Sequence, residues 1–216
     1  MPPIKMRLKA LLPGLLIAVF FVCSAKAQTY STHGFGVAIN YGYDAPLGNQ
    51  SYTFKPGATY GISVLSYSKN WITSISFGYL SYKPKQDLFY YQVDDSNYGT
   101  IKYQNFTAYQ LYLGVAYSLE LSTELKAYGG VNFGEYLTHT VYLATDAYAG
   151  ADADLHENNV YLAPKLGIKY SINDNISIGA EGKYNIFAIS GNAAYNSNVG
   201  TVYSSYTGNL VLTYNF

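Results

Sequence analysis

Cysteine, arginine and long apolar segments are scarce in this chain of 216 residues. Its one cysteine, Cys23, and its one arginine, Arg7, both lie within residues 1–27. This excludes a disulfide bond and a cysteine metal site from residues 28–216. Those residues also lack any apolar stretch approaching about 18 residues, which excludes a membrane-spanning helix from them.

Charged residues are few as well, at 12% of the chain. Four of the 13 basic residues lie within residues 1–27, so residues 28–216 carry nine lysines against 13 acidic residues, a net charge of −4. Such a chain has no basic patch to hold a polyanion, and nucleic-acid binding is excluded. A soluble surface would be expected to carry more charge.

The first 27 residues have the three parts of a secretory signal peptide. Three basic side chains stand near the start: Lys5, Arg7 and Lys9. An apolar run over residues 10–22 follows, and Ala25 and Ala27 supply the small residues that a signal peptidase reads. This run is shorter than the roughly 20 residues of a membrane anchor. The sequence predicts a cleaved signal peptide over residues 1–27 and a single domain over residues 28–216.

Large and small residues alternate along most of residues 28–216. In residues 35–43, for example, Phe35, Val37 and Ile39 alternate with glycine and alanine. A period of two is typical of β-strands that present two different faces. Eight strands are predicted, over residues 35–43, 58–67, 71–82, 106–118, 124–137, 159–172, 176–189 and 204–216. Most of them are long enough, at roughly 10–14 residues, to cross a membrane.

The connections between these strands alternate between short and long. Those after the second, fourth and sixth strands have only a few residues, whereas the others are longer and span about 44–57, 83–105, 138–158 and 190–203. Membrane barrels show this asymmetry, with tight periplasmic turns and long extracellular loops. The sequence therefore predicts an all-β fold, a closed antiparallel eight-stranded up-and-down transmembrane β-barrel, with both termini in the periplasm.

An eight-stranded barrel is either a soluble carrier with an apolar interior or a membrane barrel with an apolar exterior. Here glycine, alanine, serine and asparagine dominate the polar face of the strands, with few charges. Large aromatic residues cluster near the strand ends, where membrane barrels place interfacial girdles. They include Tyr41, Tyr43, Trp71, Tyr79, Tyr117 and Tyr214. Both features favour the membrane barrel.

Four charged residues on the polar face of the sixth and seventh strands predict a charge cluster in the lumen: Lys165, Lys169, Glu181 and Lys183. If the turn at residues 173–175 pairs these strands, Glu181 lies diagonal to Lys165 and Lys169, and Lys183 lies opposite Lys165. Charges buried in this way need partners. The favoured interpretation is a packed polar core, and the alternative is a path for ions or protons.

The chain ends with apolar residues at alternate positions before a terminal phenylalanine: Leu210, Leu212, Tyr214 and Phe216. With the signal peptide, the alternation and the loop asymmetry, this end makes residues 30–216 resemble the small bacterial outer-membrane β-barrel proteins, a porin-like family. The resemblance implies that these four residues form the signal that the barrel-assembly machinery recognises, in a protein that lies in the outer membrane.

Histidines are the candidates for chemistry in such a barrel. His33 is expected at the periplasmic start, His139 near the outer rim and His156 in a loop, and none belongs to a nucleophile motif. A lipid-active hydrolase would need a serine within hydrogen-bond reach of His139 or His156, with a carboxylate to orient the ring. No catalytic residue is assigned, and the protein is predicted not to be an enzyme.

Acidic residues cluster in one predicted loop, residues 146–157, as Asp146, Asp152, Asp154 and Glu157. Carboxylates at this density can hold a hard cation such as Ca²⁺. The loop lacks the glycine and the spacing of a calcium-binding loop, so a solvated acidic surface is the favoured interpretation. No metal ligand and no cofactor are assigned.

Together these observations predict a monomeric integral outer-membrane barrel, surrounded by outer-membrane lipid. Its expected role is structural, or lies in surface interaction with an extracellular ligand through the loops. A narrow porin-like channel for ions or small solutes is one alternative, and an outer-membrane lipid-active hydrolase is another.

Overall fold

Ten β-strands and one short helix occupy the part of the chain that the computed structural model describes, residues 33–92, 98–145, 153–189 and 202–216. The strands are β1 (His33–Pro46), β2 (Gly57–Ser68), β3 (Trp71–Tyr82), β4 (Phe89–Gln92), β5 (Tyr98–Tyr103), β6 (Phe106–Glu120), β7 (Leu125–Ala144), β8 (Ala153–Ser171), β9 (Ile176–Ile189) and β10 (Val202–Asn215). Helix α1 (Asn49–Thr53) lies between β1 and β2. Within these ranges no helix has the length and apolar character needed to cross a bilayer. The predicted signal peptide, residues 1–27, lies outside the described residues.

Eight of the strands close into an antiparallel barrel, which confirms the predicted fold. Each strand pairs with its neighbour in the order β1, β2, β3, β6, β7, β8, β9 and β10. The last strand then pairs with the first, from Gly36 opposite Asn215 to Pro46 opposite Ser205. Because this pairing joins the two outer strands, the barrel wall has no open edge.

The two ends of the barrel differ in the length of their connections, as predicted. One end, here the short-turn end, carries residues 69–70, 121–124 and 172–175 together with Phe216. The other, here the long-connection end, carries the connections that follow β1, β3, β7 and β9, of which residues 47–56, 83–92, 98–105 and 145 are described. The turn at 172–175 is held by Asn173, whose side-chain oxygen accepts hydrogen bonds from the backbone N–H groups of Asn175 and Ile176.

The predicted loop 138–158 was wrong at both of its ends. Strand β7 continues to Ala144 and β8 begins at Ala153, so His156 lies in a strand and not in a loop. In the predicted loop 83–105, β4 and β5 form a hairpin that adds to the tip of β7, with Tyr103 opposite Tyr142. These extensions lack the apolar alternation of the barrel wall, because strands beyond the lipid need no apolar outer face.

The two faces of the wall are those of a membrane barrel. Buried polar residues face the lumen, among them Ser63, Ser74, Ser76, Gln110, Asn132, Thr207 and Thr213. Large apolar residues lie on the outer surface, among them Ile39, Ile62, Ile75, Leu111, Leu113, Leu162, Ile168 and Leu212. A soluble carrier would have the opposite arrangement, so the membrane interpretation is confirmed.

Aromatic side chains mark two levels on the outer surface. Towards the long-connection end, Tyr41, Tyr60, Tyr79 and Tyr109 stand directly opposite one another on four neighbouring strands. Towards the short-turn end, the rings of Trp71 and Tyr117 lie 5.1 Å apart. On β3 the segment from Trp71 to Tyr79 therefore spans the two levels. This is close to the 9–11 or so residues of a strand that crosses a bilayer.

The close approach of β6 and β7 gives a first testable prediction. A Cβ atom on Gly134 would lie 2.1 Å from the carbonyl oxygen of Leu111 and 2.5 Å from the Cα of Tyr112. We expect Gly134→Ala to lower the free energy of unfolding by about 1–3 kcal/mol, as overpacked sites do. Unfolding in urea can be followed by gel mobility, since a folded membrane barrel migrates differently before heating.

Gly208→Ala is the matched control, because a Cβ atom there meets nothing within 4 Å. Both substitutions remove the same backbone conformational freedom from the unfolded chain. The difference between their free energies of unfolding therefore reports the contact in the folded barrel. Equal stability of the two variants would contradict this account of the packing between β6 and β7.

Candidate functional site

Three of the four predicted lumen charges meet inside the barrel, at about its middle. Lys165 Nζ lies 3.5 Å from Glu181 Oε2, and Lys183 Nζ lies 4.0 Å from Glu181 Oε1. The hydroxyl of Tyr128 donates a 3.2 Å hydrogen bond to Glu181 Oε2. Lys165 stands opposite Lys183, and Gly167 opposite Glu181, which is the register that the turn at 173–175 predicts. One carboxylate thus lies between two lysines that water hardly reaches.

The fourth predicted member, Lys169, lies apart from this group. Its Nζ atom stands 4.7 Å from the ring centre of Tyr67, nearer the short-turn end. No carboxylate of the described residues forms an ion pair with it. The aromatic face stabilises the cation in place of a counter-ion.

A second polar group closes the lumen nearer the long-connection end, and its centre is the carboxylate of Asp44, which is 1% exposed. Asn185 Nδ2 donates to Asp44 Oδ2 at 2.9 Å and Ser205 Oγ donates to it at 3.1 Å. The hydroxyls of Tyr82 and Thr207 also donate to this carboxylate. Four strands, β1, β3, β9 and β10, are therefore joined across the barrel by one acceptor.

The sequence did not predict this Asp44 network. Its residues are scattered over more than half of the chain, and Asp44 itself was placed in the first predicted loop. One signal was present. Continuing the period of two past Tyr43 puts Asp44 on the same face as Asn40 and Gly42, which is the lumenal face.

Aromatic rings pack directly beside the Asp44 network. Tyr136 lies at the centre, with ring centroids 4.7 Å from Tyr161 and 4.5 Å from Phe187. Towards the long-connection end a cavity of about 530 Å³ opens, here the vestibule, and Phe54, Tyr82, Tyr103, Phe106, Tyr142 and Tyr203 are among its lining residues. Tyr103 is partly buried there, and this burial raises the pKa of its hydroxyl.

The space left on the other side of these closures is small. A lumenal cavity of about 60 Å³ lies among serines, Tyr112, Lys165 and Glu181. That volume accommodates a few water molecules. It is also what an eight-stranded barrel leaves, because its interior is just filled by side chains.

Two histidines and one aspartate come together on the outer face of the β7–β8 hairpin. His139 stands directly opposite His156, and Asp154 precedes His156 by two residues on the same face. His139 Nε2 lies 2.7 Å from Asp154 Oδ1, and His156 Nε2 lies 3.2 Å from the same oxygen. The two imidazole rings are stacked, with centroids 4.3 Å apart and planes inclined by 3°.

The sequence named these residues but did not bring them together, because the two predicted strands ended at 137 and began at 159. The predicted acidic group of residues 146–157 is also divided. Asp154 faces outwards, whereas Glu157 lines the vestibule, so these two carboxylates cannot share one cation. Asp146 and Asp152 lie outside the described residues.

The hydrolase alternative needed a serine and a carboxylate beside one of these rings. Asp154 supplies the carboxylate. Within the described ranges no serine hydroxyl forms a hydrogen bond with His139 or His156. His33, the third histidine, is at the first position of β1 at the short-turn end, opposite Ser68.

The four residues of the predicted assembly signal lie on the outer surface of the closing strand. Leu210, Leu212, Tyr214 and Phe216 are each about half exposed or more. The odd-numbered positions that alternate with them face the lumen, as Asn209 and Thr213 do. The assembly role of these residues stays a prediction, whereas their direction agrees with the alternation.

A sequence model of one family, described as "Outer membrane protein beta-barrel domain", matches residues 15–216. The chain belongs to this family. No curated protein sequence matches the chain. Membership in the outer-membrane barrel family places the protein in the outer membrane.

Solved structures of outer-membrane proteins share the fold of this family member. Neisserial surface protein A is 16% identical, with a TM-score of 0.53 over 84% of this chain and 95% of that one. The attachment invasion locus protein Ail of Yersinia pestis is 16% identical, with a TM-score of 0.52 over 87% and 100%. A major outer membrane protein of Thermus thermophilus is 14% identical, with a TM-score of 0.54 over 85% and 99%.

The ion pairs around Glu181 give a second testable prediction. Glu181→Ala removes the carboxylate that forms the ion pairs with the buried Lys165 and Lys183, and losing one partner of a buried pair costs about 3–5 kcal/mol. We expect the urea midpoint of the barrel to fall accordingly. Glu181→Gln keeps the oxygen that accepts from Tyr128, and its midpoint should lie between those of Glu181→Ala and the unaltered chain.

Glu120→Ala provides the comparison, since Glu120 pairs with Lys126 at 2.6 Å on the exposed short-turn end. Exposed pairs add little to stability, so we expect no measurable change in the midpoint. If Glu181→Ala proved as stable as Glu120→Ala, the ion pairs in the lumen would not contribute measurably to the stability of the barrel.

Proposed function

We propose that this outer-membrane barrel does not conduct ions and that its role is structural or lies in surface interaction through the long-connection end. The Asp44 network carries the proposal. One buried carboxylate on β1 accepts hydrogen bonds from donors on three other strands, β3, β9 and β10, at a single point in the lumen. Any open path for ions would have to break these hydrogen bonds, each of which costs free energy when a buried partner is left unpaired.

The aromatic cluster supports the same proposal. Leu80, Tyr82 and Tyr161 are among the most buried side chains of the described residues, and they lie at the level of the closure. Closely packed rings leave no space for hydrated ions. The lumen of this barrel is then a rigid polar core that joins its strands.

The elaboration of the long-connection end supports a role in surface interaction. Strands β7 and β8 continue beyond the barrel wall, and the β4–β5 hairpin widens this projection into a small sheet. Binding residues commonly lie on loops held by a rigid scaffold. Two of the similar barrels bear names that refer to the cell surface or to attachment, which agrees with a surface role.

Orientation is part of this proposal. The long-connection end faces the outside of the cell and both termini lie in the periplasm, after removal of the signal peptide over residues 1–27. Known barrels have short turns in the periplasm and long loops outside. Because the barrel closes within one chain, it needs no second copy, and we propose a monomer that the assembly machinery inserts through its last strand.

A narrow porin-like channel is the second candidate, and the polar lumen around Glu181 is what favours it. Lys165, Lys169 and Glu181 line the small cavity. Conductance in planar bilayers separates the two. We expect no single-channel steps from the purified, refolded barrel, because side chains fill its lumen.

The control for that measurement is an open porin reconstituted in the same way, which must give steps. Steady steps from this protein, at the frequency expected from the amount inserted, would overturn the closed-lumen proposal in favour of the channel.

The proposed orientation can be tested by labelling intact cells with an amine reagent too large to cross the outer membrane. Lys55, Lys83 and Lys85 are exposed at the long-connection end, whereas Lys69 is exposed at the short-turn end. We expect label on the first three and none on Lys69. In broken cells all four should react, which is the control. Label on Lys69 alone in intact cells would show the opposite orientation.

A further inference from the structure

The His139–Asp154–His156 cluster is not needed by the barrel itself. The three side chains are 40%, 65% and 71% exposed, so they stabilise no core. Their backbones are already paired in the β7–β8 ladder. Nonetheless their three ligand atoms lie within 4.8 Å of one another.

Strand geometry explains why the three share one face. Residues directly opposite in an antiparallel pair point the same way, and so do residues two apart on one strand. His139 and His156 satisfy the first relation, and Asp154 and His156 the second. Three donors therefore meet on one rigid hairpin although 14 residues separate His139 from Asp154 along the chain.

The donors are two imidazole nitrogens and one carboxylate oxygen, and both Nε2 atoms approach the same oxygen. We propose that this cluster is a binding site for a divalent late transition metal ion of the Zn²⁺ type, held by His139 Nε2, His156 Nε2 and Asp154 on the outer face of the β7–β8 hairpin. Three protein ligands leave one tetrahedral position for water or another ligand.

The distances are close to those that such an ion requires. Ligand atoms about 2.0–2.1 Å from a tetrahedral Zn²⁺ stand about 3.3 Å from one another. The two nitrogens lie 2.7 Å and 3.2 Å from the carboxylate oxygen. All three ligand atoms lie within 4.8 Å of one another. Small rotations of the two exposed imidazole rings would lengthen the 2.7 Å separation to the value that a tetrahedral ion requires.

The donor set also selects among metals. Imidazole suits Zn²⁺, Cu²⁺ and Ni²⁺, whereas Ca²⁺ and Mg²⁺ prefer oxygen ligands alone. The calcium loop considered from the sequence relied on carboxylates only. With two nitrogens in the set, the structure favours a different class of ion.

The site lies just beyond the apolar outer surface of these strands. On the same face the last apolar residues before the cluster are Leu137, two residues from His139, and Val160, four residues from His156. The polar Glu135 and Asn158 lie among them, joined by a 3.5 Å hydrogen bond, and the three donor side chains are exposed to water. A metal ion in the surrounding water can therefore reach the cluster without entering the membrane.

The test is calorimetric titration of the refolded, tag-free full chain with Zn²⁺ at pH 7.5. We expect saturation at one ion per chain. His139→Ala and His156→Ala should each lower the affinity at least tenfold, and Asp154→Asn by a smaller factor. Co²⁺ in place of Zn²⁺ should give the visible absorption of a tetrahedral site, which both histidine variants lose.

His33→Ala is the matched control, since it removes the one other histidine, at the far end of the barrel. Its affinity should equal that of the unaltered chain. Gel mobility before and after heating shows that each variant has folded. Ca²⁺ and Mg²⁺ should produce no saturable binding.

Two results would overturn the proposal. Absence of saturable Zn²⁺ and Cu²⁺ binding would show a hydrogen-bonded His–Asp group only. Equal affinity in the unaltered chain and in both histidine variants would place any bound metal elsewhere.

Discussion

Pairing of the last strand with the first is the interaction on which this molecule depends. Inside a bilayer no water is present to satisfy backbone N–H and C=O groups, so a sheet can cross only when it has no edge. The ladder between β1 and β10 removes both edges at once. It also joins residues far apart in sequence, such as Gly36 and Asn215. The membrane-spanning structure is therefore complete only when the last strand has paired with the first.

Closure sets the rest of the design. Eight strands enclose a narrow interior, so the inward side chains must be small, must find polar partners there, or must pack against one another as the aromatic cluster does. Gly134 is an example of a small inward residue, and the side chains around Glu181 and Asp44 are examples of large ones with polar partners. The outer positions are free of such limits and need only be apolar. The two faces of each strand, which alternate with a period of two, are therefore under different constraints: the inward face is limited in size and polarity, and the outward face only in polarity.

This difference between the two faces explains how much of the structure could be predicted from the sequence. Lipid favours an apolar residue at every second position, so the strands of the barrel wall could be predicted from the sequence. The turn at 173–175 fixed the register between the sixth and seventh of them, which brings Lys165 and Lys183 to Glu181. The tips of β7 and β8 were missed because no lipid imposes a pattern there. The Asp44 network was missed for another reason. Its members come together only through closure, which local periodicity does not report.

The single tryptophan of the chain lies in the aromatic level at the short-turn end, on the outer face of β3, where it is half exposed and touches Tyr117. Tryptophan fluorescence from this barrel is therefore a signal from one location. During refolding into vesicles its emission reports when the short-turn end settles at the lipid boundary, while the opposite end contributes only tyrosine. Two signals, tryptophan emission and the arrival of full gel mobility, can thus time insertion and closure separately in the unmodified protein.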